Sequence, residues 1–140
     1  MTIEFTQEQV AFLTAPRHAI LATNRPGKSP QISPVWYWFE DGEIYVSLRD
    51  DTAKFANLRR DPQLSLCVDG GRSDTRCVIV HGDVEMYGNQ HPRQLEMRWQ
   101  IVQHYIADGA AARTYFETTN DGHPVLIRIQ PTRLLTHNFA

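Results

Sequence analysis

Gln31-Ile32-Ser33-Pro34-Val35-Trp36-Tyr37-Trp38-Phe39, then Asp41-Gly42, then Glu43-Ile44-Tyr45-Val46-Ser47-Leu48 is the stretch whose reading decides the fold. β-Branched and aromatic residues fill its first part, as a pleated, half-buried surface requires. Asp-Gly is a preferred dipeptide for a two-residue hairpin, because both of its positions tolerate positive φ. Polar and apolar residues then alternate from Glu43 to Leu48, the period of a strand with one buried face. Upstream, His18-Ala19-Ile20-Leu21-Ala22-Thr23 is mostly apolar and runs into the turn residues Arg25-Pro26-Gly27-Lys28. The region predicts three consecutive antiparallel strands.

Outward from this point the period changes. Asp50-Asp51-Thr52 suits a helix N-terminus, Ala53, Phe55, Ala56 and Leu58 follow, and Pro62 closes the segment, so a short helix is inserted between strands. Residues 63–68 and 76–86 read as strands joined across Asp69-Gly70-Gly71-Arg72-Ser73. Near the front, Thr6 stands three residues before Gln9 in a capping-box pattern ahead of Val10 and Leu13, which predicts a first short helix. Pro92 marks another helix start, and Leu95, Trp99, Val102 and Ile106 recur at helical spacing as its apolar face. Residues 110–116 add a further helical turn or two, Asn120-Asp121-Gly122 a turn, and residues 124–129 and 133–136 two short closing strands. The expectation is one α+β domain over residues 1–140, with six or seven mostly antiparallel strands and short flanking helices. A barrel is the arrangement that removes such a sheet's exposed edges.

Composition narrows the function. Hydrophobic residues at 41% and charged residues at 21%, with 8 Gly and 8 Pro among 140, exclude a disordered chain, a collagen-like repeat and a disulfide scaffold. A formal net charge of −2 gives no global field to draw nucleic acid or anionic lipid. No run approaches the roughly 18 apolar residues of a membrane span, and the first residues lack a leader pattern, so a cytoplasmic protein without a membrane partner is expected. Cys67 and Cys77, too few for a disulfide framework, read as two half-buried thiols facing each other across a hairpin centred on Arg72.

Several motifs fail. Gly27-Lys28-Ser29 looks like the end of a phosphate-binding loop, but Ala22 occupies the position of its first glycine. No G-x-G-x-x-G opens a nucleotide-binding crossover. Cys67, Cys77 and His81 match no zinc spacing, so no metal is expected. The histidines at 18, 81, 91, 104, 123 and 137 assemble no nucleophile and base set, and no catalytic residue is assigned.

What remains is Lys54, one of only two lysines beside twelve arginines, in the first turn of the helix that follows the third strand. Exposed amides at a helix start, a nearby hydroxyl and an ammonium make a phosphate site. The same residues also suit an amphipathic helix whose Lys54, Arg59 and Arg60 form a solvated basic face, and the pattern alone leaves both readings open.

The order Ile20-Leu21-Ala22-Thr23, a turn, Ser29-Pro30-Gln31-Ile32-Ser33-Pro34-Val35-Trp36, a strand ending at Ser47, and Lys54-x-x-Asn57-Leu58-Arg59-Arg60-Asp61-Pro62 resembles the pyridoxamine 5′-phosphate oxidase-like flavin-binding split β-barrels. Within them it is most similar to the small reductases that use the 5-deazaflavin coenzyme F420. The resemblance runs from Phe12 to Tyr87, and more loosely through Val125-Leu126-Ile127-Arg128-Ile129-Gln130-Pro131. It implies a six- to seven-stranded antiparallel split β-barrel and a homodimer with FMN or F420 in clefts between the subunits. By that resemblance Lys54 and Thr52 hold the cofactor phosphate with Ser47 and Arg49 beside it, Asn57 joins them, and Gln31, Ser33, Pro34 and Val35 line the ring system. Arg49, Arg59 and Arg60 are candidates for the acidic tail of F420. The run Trp36-Tyr37-Trp38-Phe39 supplies barrel core or packs near the ring, core being favoured for each.

The implied activity is hydride transfer between cofactor and a small conjugated organic substrate. The cofactor carries that chemistry, which accords with the missing catalytic set. Pyridoxine phosphate oxidation itself is not supported, since the substrate-phosphate residues find no match. The alternative is a non-catalytic split barrel that sequesters flavin or haem. A nucleic-acid-binding small barrel is disfavoured by the near-neutral charge and the lack of a basic, aromatic stripe.

Overall fold

The computed structural model describes residues 2–139. Its order is α1 (Gln7–Thr14), β1 (His18–Arg25), β2 (Lys28–Val35), β3 (Trp38–Glu40), β4 (Glu43–Arg49), α2 (Ala53–Arg60), β5 (Gln63–Asp69), β6 (Cys77–Tyr87), α3 (Pro92–Tyr105), α4 (Gly109–Thr118) and β7 (Pro124–His137). The strands form one antiparallel sheet in the order β2-β1-β5-β6-β7-β4-β3. This is the expected α+β split barrel. None of the described helices is long and apolar enough to cross a membrane.

Local chemistry explains most of the boundaries. Asp41 and Gly42 both take positive φ, 52° and 76°, and close the β3–β4 hairpin as the dipeptide predicts. Thr6 caps α1 in a reciprocal box with Gln9, and Thr52 caps α2. The expected strand over residues 31–39 is divided, because Trp36 and Tyr37 leave the ladder. Tertiary contacts replace the sheet bonds there: the Tyr37 amide donates to Tyr105 Oη at 3.4 Å and the Tyr37 hydroxyl donates to the Ala15 carbonyl at 3.2 Å. The two expected closing strands are one, β7, whose register shifts opposite His81 and Gly82 without breaking. Cys67 pairs with Ile79 and Asp69 with Cys77, so the two free thiols are diagonal neighbours, not directly opposed.

One face of the sheet encloses the main core, with Leu21, Ile44, Val46, Leu66, Val80, Ile127 and Ile129 at 1% exposure or less. Each such aliphatic side chain contributes roughly 1.5–3 kcal/mol on burial. On the reverse of β4 and β7, Tyr45 and Leu126 pack against Met97 and Ile101 of α3. β4 and β7 are thus buried on both faces, and α3 is held over the seam between them. The inward side of α3 is Gln94, Met97, Arg98, Ile101 and Val102, whereas Leu95 is 39% exposed. The expected apolar face is therefore rotated, and it brings two polar side chains inside.

Candidate functional site

The Thr52 hydroxyl accepts from the Phe55 amide at 3.4 Å and donates to the Arg49 carbonyl at 2.7 Å, which fixes the chain's entry into α2. The first amides of the helix have no intrahelical acceptor and carry the positive end of its dipole. Lys54 lies in this first turn, with Nζ 3.4 Å from Ser33 Oγ. None of the ion pairs among the described residues includes Lys54. The Lys54 ammonium and the first amides of the helix thus meet beside Ser33, and among the described residues no carboxylate pairs with Lys54.

A cavity of about 390 Å³ opens beside them. One side is made by Pro34, Val35 and Trp36 at the end of β2, by Ser47, Leu48 and Arg49 of β4, and by Thr52 and Lys54. The other side is Arg98, Ile101 and Val102 of α3 with Tyr115 and Thr119, while His18 and Pro124 complete the rim. The size falls in the roughly 300–1,000 Å³ range of small-molecule sites.

Of the residues named from sequence, Pro34, Val35, Ser47, Arg49, Thr52 and Lys54 line this cavity together. Ser33 stands behind Lys54 as its hydrogen-bond partner. Gln31 and Asn57 do not reach the wall. Asn57 is 6% exposed, and its Nδ2 donates to Thr23 Oγ1 and to Gln31 Oε1, both at 3.1 Å, while its Oδ1 accepts from Arg60 Nη2 at 3.1 Å. These bonds tie α2 to β1 and β2 and so position Lys54.

The arginines are less free than the sequence implies. Arg49 is held between Asp51, at 3.2 Å, and Asp121, at 2.9 Å. Those hydrogen bonds raise its pKa and lower both carboxyls. Arg60 also donates to the Asn24 carbonyl at 2.9 Å, and Arg59 lies 5.8 Å over the Phe55 ring. His123 Nδ1 sits 2.7 Å from Asp50 Oδ1 in an exposed cluster with Asp51, and the Asp50 hydrogen bond raises its pKa.

Sequence reasoning missed Arg98, Tyr115 and Thr119, and it favoured the core for Trp36, which is 37% exposed and stacks on Tyr105 at 5.0 Å. Tyr37, its neighbour, is the fully buried member of that run. A signal for Arg98 exists only in hindsight: Gln94 and Arg98, four apart, share the helical face of Ile101 and Val102.

The chain matches the family described as pyridoxamine 5′-phosphate oxidase over residues 5–138. Among solved structures it is similar to a conserved hypothetical protein from Mycobacterium tuberculosis, at 27% identity and a TM-score of 0.76 over 96% of this chain and 85% of that one. An F420 reductase is similar at 18% identity and a TM-score of 0.67, over 95% of this chain and 98% of that one. A haem storage protein from Vibrio cholerae is similar at 16% identity and a TM-score of 0.73, over 100% and 98%. The last two likenesses are of fold alone.

Proposed function

The chain belongs to the pyridoxamine 5′-phosphate oxidase family, and from that membership we propose that it is an oxidoreductase whose flavin-type cofactor, FMN or F420, is gripped by its phosphate at the start of α2. The observation that carries the proposal is the Lys54 ammonium, unpaired with any carboxylate among the described residues, in the first turn of a capped helix that opens on a 390 Å³ cavity. That donor set is the chemistry a phosphate needs. Lys54 supplies the charge and Ser47 a hydroxyl contact, Thr52, whose hydroxyl proton is held by the Arg49 carbonyl, serves by capping α2 so that its first amides stay open to the phosphate, and the segment Pro34-Val35 makes a wall for the ring system. Arg49, already shared by two aspartates, orders the rim and offers little net charge to the ligand.

A flavin or deazaflavin supplies hydride transfer when bound. The protein's part is to orient the ligand and to exclude water, for which Val35, Leu48, Ile101 and Val102 form an apolar lining. The substrate in this reading is a small conjugated organic molecule.

The working form is proposed to be a homodimer. Pro34, Ile20, Cys67, Ile79 and Leu135 fall in one row across five strands on the outer face of the sheet, with Ile20 41% and Leu135 38% exposed and Ile32 alongside at 67%. Such a stripe marks a protein contact, and a second copy would cover it. The two free thiols accord with a cytoplasmic location.

Titration of the apoprotein with FMN and with F420, read by cofactor fluorescence, tests the reading. One of them is expected to bind saturably, and Lys54→Ala to weaken it roughly ten- to hundredfold, the value of a hydrogen bond to a charged group. Failure of both cofactors to bind, or an unchanged variant, overturns the proposal. Steady oxidation of the reduced cofactor by conjugated acceptors identifies an enzyme, and binding without turnover a sequestering protein.

A further inference from the structure

The chain leaves β4 at Arg49 and enters β7 at Pro124, residues that pair in the ladder and both border the cavity beside Thr52. The Asp50 amide donates to the His123 carbonyl at 2.9 Å and ties the two crossings together. Three carboxylates stand on this rim: Asp50 and Asp51, directly before the Thr52 cap of α2, and Asp121, two residues before His123. Asp51 and Asp121 both hold Arg49, at 3.2 and 2.9 Å, while Asp50 Oδ1 lies 2.7 Å from His123 Nδ1. The three carboxylate side chains are 45%, 41% and 40% exposed, so their charge faces the solvent at the mouth.

The charges on this rim do not balance. One guanidinium serves two aspartates, and the imidazole offsets the third only while it is protonated. The Arg49 hydrogen bonds hold the Asp51 and Asp121 carboxyls below their ordinary range, so both are ionised near neutral pH. Among the described residues no other cation pairs with the three. Lys54 is turned to Ser33, and Arg59 and Arg60 stand in the last turn of α2, about 8 Å along the helix from it, over Phe55 and against Asn24 and Asn57. The mouth is therefore positive at Lys54 and the first amides of α2, and negative just outside them.

A ligand that ends at its phosphate meets the positive part. One that continues beyond the phosphate with carboxylates brings them to the rim, where like charges repel and Arg49 is already occupied. Such repulsion is a recognised way of rejecting one of two similar ligands.

We propose that Asp50, Asp51 and Asp121 are specificity-determining residues, an anionic fringe that admits ligands ending at their phosphate and turns away those that carry carboxylates beyond it. Of the two cofactors considered above, the fringe favours FMN. The inference deepens that reading and rests on it for the placement of the phosphate at α2.

Three ligands are titrated by cofactor fluorescence: FMN, F420, and F420 whose tail carboxylates have been converted to carboxamides, which keeps the ring, the phosphodiester and the length. The amidated coenzyme is expected to bind about tenfold tighter than F420 itself. Combining Asp51→Asn with Asp121→Asn, which also frees Arg49, is expected to erase that difference while FMN affinity stays within about threefold. F420 binding as tightly as its amide, or a preference for the amide that survives the double variant, overturns the inference. If the double variant fails to fold, the comparison of F420 with its amide on the unmodified protein decides alone. Binding of FMN with no binding of either coenzyme form overturns the fringe and leaves the phosphate reading standing, whereas no binding of any of the three overturns both. A preference for the amide that the aspartates control, with Lys54→Ala changing nothing, supports the fringe and defeats the phosphate reading instead.

Discussion

Replacing Asn57 by alanine isolates what holds α2, and with it Lys54, against the barrel. The change deletes two donated hydrogen bonds, to Thr23 Oγ1 and Gln31 Oε1, and one accepted from Arg60. Each is worth about 0.5–1.5 kcal/mol net, and a buried polar atom left without its partner costs about 1–3. Thr23 is 1% exposed and cannot turn to water, whereas Gln31 and Arg60 can. The expected loss is therefore about 2–4 kcal/mol, or a fall in Tm of roughly 10 °C for a domain of this size. Urea unfolding followed by circular dichroism measures it, with the midpoint lowered and the m-value unchanged. Thr23→Val in the Asn57→Ala background is expected to recover part of the loss, because removing both partners leaves nothing unsatisfied. A loss under about 0.5 kcal/mol, or strictly additive effects of the two changes, would refute this account of the network.

Gly82→Ala is expected to destabilise the fold by about 1–3 kcal/mol through overpacking and so to lower Tm measurably, since a Cβ there would stand 2.7 Å from the Gln130 carbonyl and 2.8 Å from Ile129 Cγ2. A melt equal to that of the parent protein would sink the prediction. His123 is expected to titrate above the ordinary value of 6.5 by NMR, and Asp50→Asn to bring it back down. Because its folded-state pKa is the raised one, its contribution to stability is fully present below about 6.5 and is lost as pH rises through the folded value. His123→Ala should thus be more damaging at pH 5.5 than at pH 9, and the reverse order would contradict the Asp50 contact.

Local chemistry made much of this molecule legible. Asp41-Gly42 announced its turn, Thr6 and Thr52 their helices, and alternation from Glu43 onward its strand, because in each case the determining contacts lie within a few residues. Lys54 was readable for the same reason: its place in the helix follows from Thr52, two residues earlier. Trp36 and Tyr37 were not, since what draws them out of the ladder is Tyr105, far along the chain. The inward face of α3 was misread because periodicity counts apolar residues, and two of the side chains turned inward are Gln94 and Arg98. Asn57 followed the family pattern in position, but its bonds to Thr23, Gln31 and Arg60 make it a support for the site and not a wall of it.

β7 stands between β6 and β4 in the sheet, and it is the last element in chain order. Without it the remaining strands fall into two separate pieces, β2-β1-β5-β6 and β4-β3, each with an apolar surface and an open edge. During synthesis the ribosome therefore has to release residues 124–137 before those pieces can join, and nascent chains stalled short of that point will present both edges to chaperones.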